Sequence, residues 1–137
     1  YESLGLSEEF GSSSGETIYA SGNEIVWGLG GNDSLKNSYS YYDQYLIGGS
    51  GNDTYTIDGT AVAIIYEAPN QGTNDNLYLS SNYSYYGYAA SIDNKHLVAI
   101  YDDQAVFVLD GWENTGIENI YLRTRLAHFN MNILMKD

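Results

Sequence analysis

Gly48-Gly49-Ser50-Gly51-Asn52-Asp53-Thr54-Tyr55-Thr56 decides how this chain is read. Its clustered glycines mark backbone that takes angles other residues avoid. Asn-Asp closes a turn, and Thr-Tyr-Thr has the composition of a short strand. The pattern is Gly-Gly-x-Gly-x-Asp-x-apolar-x. A second copy, Gly28-Leu29-Gly30-Gly31-Asn32-Asp33-Ser34-Leu35-Lys36, carries leucine in the second glycine place. Weaker copies surround these two. Tyr19 to Trp27 offers Glu24 and Val26, residues 37 to 47 keep Asp43 and Leu46, and Gly11 to Tyr19 offers Glu16 and Ile18.

A unit of this kind spends six residues on a turn and three on a strand, so two units complete one coil and every second unit stacks. The two good copies are therefore expected side by side on one edge, with the strand of 37 to 47 opposite. Asp33 and Asp53 are 20 residues apart rather than 18, which places a two-residue insertion in the tyrosine-rich unit between them.

Stacked glycine turns can aim several carbonyl oxygens at one point, here those of Gly28, Leu29, Gly30, Gly31, Gly48, Gly49, Ser50 and Gly51. Asp33 and Asp53 add two carboxylates, which neutralise a divalent cation. Six or more hard oxygens in a flexible ring suit Ca²⁺ better than Mg²⁺, which demands a tight octahedron. The same logic offers two weaker carboxylate pairs: Glu24 with Asp43 on the other edge, and Glu16 with Asp33.

Composition agrees with a cation-seeking surface. Five bases oppose 18 acids for a net charge of −13, and residues 1 to 94 hold twelve acids against the single base Lys36. Such a surface repels nucleic acid and anionic lipid. Cysteine is absent, so no disulfide or thiolate site can staple the fold. No apolar run approaches the roughly 20 residues of a membrane-spanning helix. No signal-peptide pattern opens the sequence, and the start at Tyr1 reads as the cut end of a longer chain.

Helical periodicity is hard to find, whereas short β-prone runs bounded by turn residues recur throughout. The expected fold is all-β: a lead-in over 1–10, a short right-handed parallel β-roll over 11–59, a β-rich capping lobe over 60–122 and a tail over 123–137. The lobe's strands are expected at Ala61 to Glu67, Leu77 to Ser80, His96 to Tyr101, Ala105 to Leu109 and Ile117 to Leu122, with Asp102-Asp103 as a hairpin turn. Val98, Ile100, Val106 and Val108 are expected to share one sheet face, and Trp112 to seal the end of the roll.

At this point the chain resembles the RTX family of secreted bacterial proteins, most specifically on Gly28 to Lys36 and Gly48 to Thr56. Ile65-Tyr66-Glu67-Ala68, Gln71-Gly72-Thr73, His96 to Ile100, Val108 to Trp112 and Ile117 to Ile120 are similar to the segments that close RTX arrays. The resemblance implies calcium binding, export through type I secretion machinery, and folding outside the cell when calcium is met.

Other chemistry finds less support. Gly11-Ser12-Ser13-Ser14-Gly15 fits the literal nucleophile pattern, but such an elbow needs a helix after it and Glu16-Thr17-Ile18-Tyr19 reads as a strand. The glycine loops lack the Gly-Lys-Ser/Thr of a phosphate cradle, and no His-Glu-x-x-His occurs. Asp102, Asp103, Asp110 and Glu113 read as turn residues beside strands rather than a paired acid and base. The 15 tyrosines leave two readings open. Tyr39, Tyr41, Tyr42, Tyr83, Tyr85 and Tyr86 can pack across a sheet or stack on sugar rings. Two functions follow: a non-catalytic calcium-dependent folding and capping module of a secreted protein, or a carbohydrate-binding module.

Overall fold

The computed structural model describes residues 7–21, 23–37, 43–57, 62–67, 72–80, 88–92, 96–101, 104–108, 117, 119–123 and 128–130. Among them every regular element is a strand. These are β1 (Ser7–Ser12), β2 (Thr17–Ala20), β3 (Glu24–Leu29), β4 (Ser34–Asn37), β5 (Asp43–Ile47), β6 (Thr54–Ile57), β7 (Val62–Tyr66), β8 (Asn76–Ser80), β9 (Tyr88–Ile92), β10 (His96–Tyr101), β11 (Gln104–Val108), β12 (Asn119–Arg123) and β13 (His128–Asn130). No described helix is long and apolar enough to cross a membrane.

Two mostly parallel sheets result. One runs β1-β3-β5-β7-β11-β10-β9 and the other β13-β12-β8-β6-β4-β2. From β1 to β8 the chain passes to the other sheet at every strand, so all connections from the first sheet to the second lie on one edge. That edge carries residues 13–16, 30–33, 48–53, 67 and 72–75, and it holds the glycine copies. Thr17 pairs with Ser34, Ser34 with Thr54 and Thr54 with Asn76, so the rungs advance by 17, 20 and 22 residues. The insertion expected in the tyrosine-rich unit falls on residues 38–42, which lie outside the described residues.

Period-two alternation sends one face of each strand inward. Ile18, Leu35, Tyr55 and Leu77 stand in one column of the second sheet, and Val26, Leu46, Ile65 and Val108 in one of the first. All eight belong to a single buried cluster. Each fully buried Leu or Ile there contributes about 2 kcal/mol. A polar bridge spans the interior near the 21–23 edge, where Asn37 Nδ2 donates to Gln44 Oε1 at 2.9 Å and Gln44 Nε2 to the Ala20 carbonyl at 3.0 Å.

Neither sheet breaks at residue 59. β7 and β8 pair parallel with β5 and β6 and prolong the same columns, and antiparallel strands enter only with β9, β10 and β13. All five strands expected after Gly59 are present within a residue or two, and Tyr101 pairs with Gln104 across the Asp102-Asp103 step. The face assignment in that hairpin needs correction. Leu97 lies opposite Val108 and Val98 opposite Phe107, so buried Leu97, Val106 and Val108 share a face from which half-buried Val98 is turned away. Trp112 lies outside the described residues.

Candidate metal centre

The glycine-rich edge is built as a ladder of side-chain acceptors. Asp33 Oδ1 accepts from the Glu16 N–H at 3.0 Å, Asp53 Oδ1 from the Asp33 N–H at 2.8 Å, and Asp75 Oδ1 from the Asp53 N–H at 2.7 Å. A parallel amide ladder runs beside it. Asn32 Oδ1 accepts from the Asn52 N–H at 2.8 Å, and Asn52 Oδ1 from the N–H groups of Thr73 and Asn74 at 2.8 and 3.1 Å. Each aspartate thus ties its turn to the turn before it, and each asparagine to the turn after it. The aspartates hold the stack together through one oxygen apiece, which is a structural role in its own right.

The second oxygens carry the chemistry. Asp33, Asp53 and Glu67 are almost wholly buried, and Asp33 Oδ2, Asp53 Oδ2 and Glu67 Oε1 have no hydrogen-bond partner. A buried carboxylate oxygen left in that state is costly unless a proton or cation meets it. Burial accordingly pushes the Asp33 carboxyl up to about 6, aided by the charges of Asp53 and Glu16 and opposed by the Glu16 N–H.

Crowding makes glycine necessary here. A Cβ on Gly28 would sit 2.5 Å from the Gly48 carbonyl oxygen and 2.7 Å from Asp33 Oδ2, so two oxygens converge where a side chain would clash. One step along, Gly49 has φ 89° and Leu29, its counterpart, has φ 74°. Leucine at the second glycine place is therefore held in the left-handed region, at a cost of about 1–2 kcal/mol.

At the next rung the pattern changes. Ile47 pairs with Tyr66, which brings Glu67 alongside Gly48 and puts a carboxylate in the glycine column. One oxygen each from Asp53, Glu67 and Asp75 lies within 4.8 Å of the others, and all three residues are buried. The Tyr55 hydroxyl accepts from the Gly48 N–H at 2.7 Å and donates to Glu67 Oε2 at 2.7 Å. Burial, with the charges of Asp75 and Asp53 and the Asp53 carboxylate's hold on the Glu67 proton, pushes the Glu67 carboxyl up to about 9 against the lowering effect of that hydroxyl. Asp53 is also raised, chiefly by burial, and Tyr55 lies well above its ordinary value for the same reason.

The sequence-predicted groups divide between these places. Asp33 and Asp53 stand on stacked turns on the expected edge, and Glu16 joins Asp33 through its backbone N–H. Glu24 and Asp43 do not face each other. Gln44 stands opposite buried Glu24, while Asp43 is exposed and its N–H donates to Asn23 Oδ1. Glu24 lies instead beside Glu9, whose carboxyl is raised by burial and by the Glu24 charge. Tyr39, Tyr41, Tyr42, Tyr83, Tyr85 and Tyr86 lie outside the described residues.

Glu67 and Asp75 were not in the predicted ligand set. Asn74-Asp75-Asn76-Leu77 repeats the Asn-Asp-x-apolar half of the motif, which is the signal that could have found Asp75. Glu67 has no comparable local mark. A scan of the chain against models of known protein families finds no match, and a search of curated proteins finds none.

Proposed function

We propose that this chain is a calcium-dependent folding and capping module, non-catalytic, built as a short parallel β-roll of the RTX kind and belonging to a protein secreted by bacteria. The observation that carries the reading is the pair Asp33 and Asp53. Each spends one oxygen on the backbone of the preceding turn and leaves the other buried and unpartnered, beside glycines where oxygens converge too closely to admit a side chain. Asp33, Asp53 and carbonyls from Gly28 to Gly31 and Gly48 to Gly51 would hold the ion. Calcium supplies there the charge that lets two stacked carboxylates remain ionised.

For a Kd of about 10⁻⁴ M, usual for an extracellular module, millimolar calcium stabilises the folded chain by roughly 1.4 kcal/mol per site. At cytosolic calcium that contribution is close to zero, and acidic self-repulsion favours the open chain an exporter requires. The test is chelation followed by circular dichroism and limited proteolysis. EGTA is expected to loosen residues 11 to 58, with Ca²⁺ restoring them and Mg²⁺ restoring them poorly. Unchanged spectra and cleavage after complete chelation would contradict the proposal.

A second reading, carbohydrate binding, draws on one observation. Tyr78 and Tyr121 stack with ring centroids 5.3 Å apart on the outer face of the second sheet, in register with Thr56 and Lys36. Paired outward rings can accept a sugar face. Saturable glycan retention that disappears with Tyr78→Ala favours this reading.

A further inference from the structure

We propose that Asp53, Glu67 and Asp75 hold a second divalent cation, bound by side chains rather than by the glycine-turn carbonyls, at the rung where the glycine column ends. The three donor oxygens lie within 4.8 Å of one another. Oxygens that share a Ca²⁺ ion at about 2.4 Å lie no more than about 4.8 Å apart, a limit that these three meet. Independent support comes from Glu67 itself, which is 2% exposed and whose Oε1 has no partner although Oε2 is fixed by Tyr55. Its side chain is committed to the interior and aimed at two other acids, an arrangement that costs stability unless positive charge enters.

The position explains why a carboxylate is tolerated here. Earlier rungs keep glycine in this column because the Gly48 carbonyl and Asp33 Oδ2 crowd Gly28, and Asp53 Oδ2 and the Tyr55 hydroxyl crowd Gly48. With Glu67 a side chain enters the column and becomes a ligand in its own right. Asp53 faces both places: its turn stacks on the Asp33 turn, and its carboxyl also belongs to the Glu67 cluster. The two ions would therefore lie on successive rungs and share one ligand. The Tyr55 hydroxyl, hydrogen-bonded to Glu67 at 2.7 Å, is a built-in reporter.

The site stands apart from the Asp33 site, and the experiment separates them. Ca²⁺ is titrated into the full chain by calorimetry, with stoichiometry counted, and near-ultraviolet tyrosine difference spectra are recorded alongside. Glu67→Gln and Asp75→Asn are each expected to bind one ion fewer than the wild type or to weaken that ion at least tenfold. Asp33→Asn is expected to lose the other ion and keep the tyrosine signal. Tyr55→Phe, which leaves every carboxylate in place, is expected to abolish the part of that signal that Asp33→Asn retains. Unchanged stoichiometry and affinity in both Glu67→Gln and Asp75→Asn would show a proton-sharing acid cluster and overturn the proposal. Should those variants fail to fold, a calcium-induced tyrosine signal in Asp33→Asn that is unchanged when Tyr55→Phe is added overturns it alone. Failure of Asp33→Asn to lose an ion counts only against the glycine-turn site.

Discussion

Replacing Asp33 by asparagine separates what this carboxyl does for the backbone from what it does for an ion. Asparagine keeps an Oδ1 that accepts from the Glu16 N–H, so the rung-to-rung bond survives. The inner carboxylate oxygen is replaced by an uncharged NH₂ group, which cannot ligate a cation. In the calcium-free protein that charge is a liability, because burial raises the Asp33 carboxyl from 3.8 to about 6. The gap corresponds to about 3 kcal/mol at neutral pH, an upper figure given the relaxation that a real interior allows. Asp33→Asn is therefore expected to be more stable than the wild type in EGTA at pH 7.5, by up to about 3 kcal/mol. Calcium then works in the opposite sense. At a hundred times Kd it returns about 2.7 kcal/mol to the wild type and nearly nothing through this site to the variant, so the two stabilities converge as calcium rises. The pH profile gives a second readout. A carboxyl whose folded pKa lies above its unfolded one contributes stability that is fully present below about pH 4 and is lost as pH rises through about 6. Wild type in EGTA is expected to lose stability across that window, and the variant to lose less. Urea unfolding in EGTA and in graded calcium measures both effects. A variant that is less stable than wild type in EGTA and keeps the full calcium gain would refute the reasoning.

Three further outcomes follow from particular residues. Leu29→Gly is expected to stabilise the chain by about 1 kcal/mol, because the left-handed backbone at φ 74° becomes free of strain while a half-exposed side chain gives up little burial; a lowered denaturation midpoint would count against it. Leu77→Ala is expected to cost about 2–5 kcal/mol and to unfold residues 11 to 58 along with the rest, since Leu77 continues the column of Leu35 and Tyr55. Hydrogen exchange would show it: loss of protection confined to residues beyond 60 would mean two separate cores. Raising the pH of the calcium-free protein through about 9 is expected to remove a further share of stability as Glu67 ionises among Asp53 and Asp75, and Glu67→Gln should flatten that limb of the curve.

The sequence by itself determined the all-β class, the glycine-rich turns at Gly28 and Gly48, and the stacking of Asp33 on Asp53. These are local signals, because a turn that needs positive φ and a three-residue strand are each written in consecutive residues. What the sequence could not settle is register, which is a property of two strands rather than one. Residues 97–100 and 105–108 are apolar on both faces, so their composition cannot choose which face is buried. The pairing of Tyr101 with Gln104 chooses Leu97 over Val98. The same kind of one-residue choice turns Gln44 inward and Asp43 out, which removes the partner expected for Glu24. Glu67 comes to Asp53 only because β7 lies on β5, and Asp75 only because β8 lies on β6. Three acids spread over 22 residues become one buried cluster through sheet pairing, and the tertiary structure alone decides that they meet.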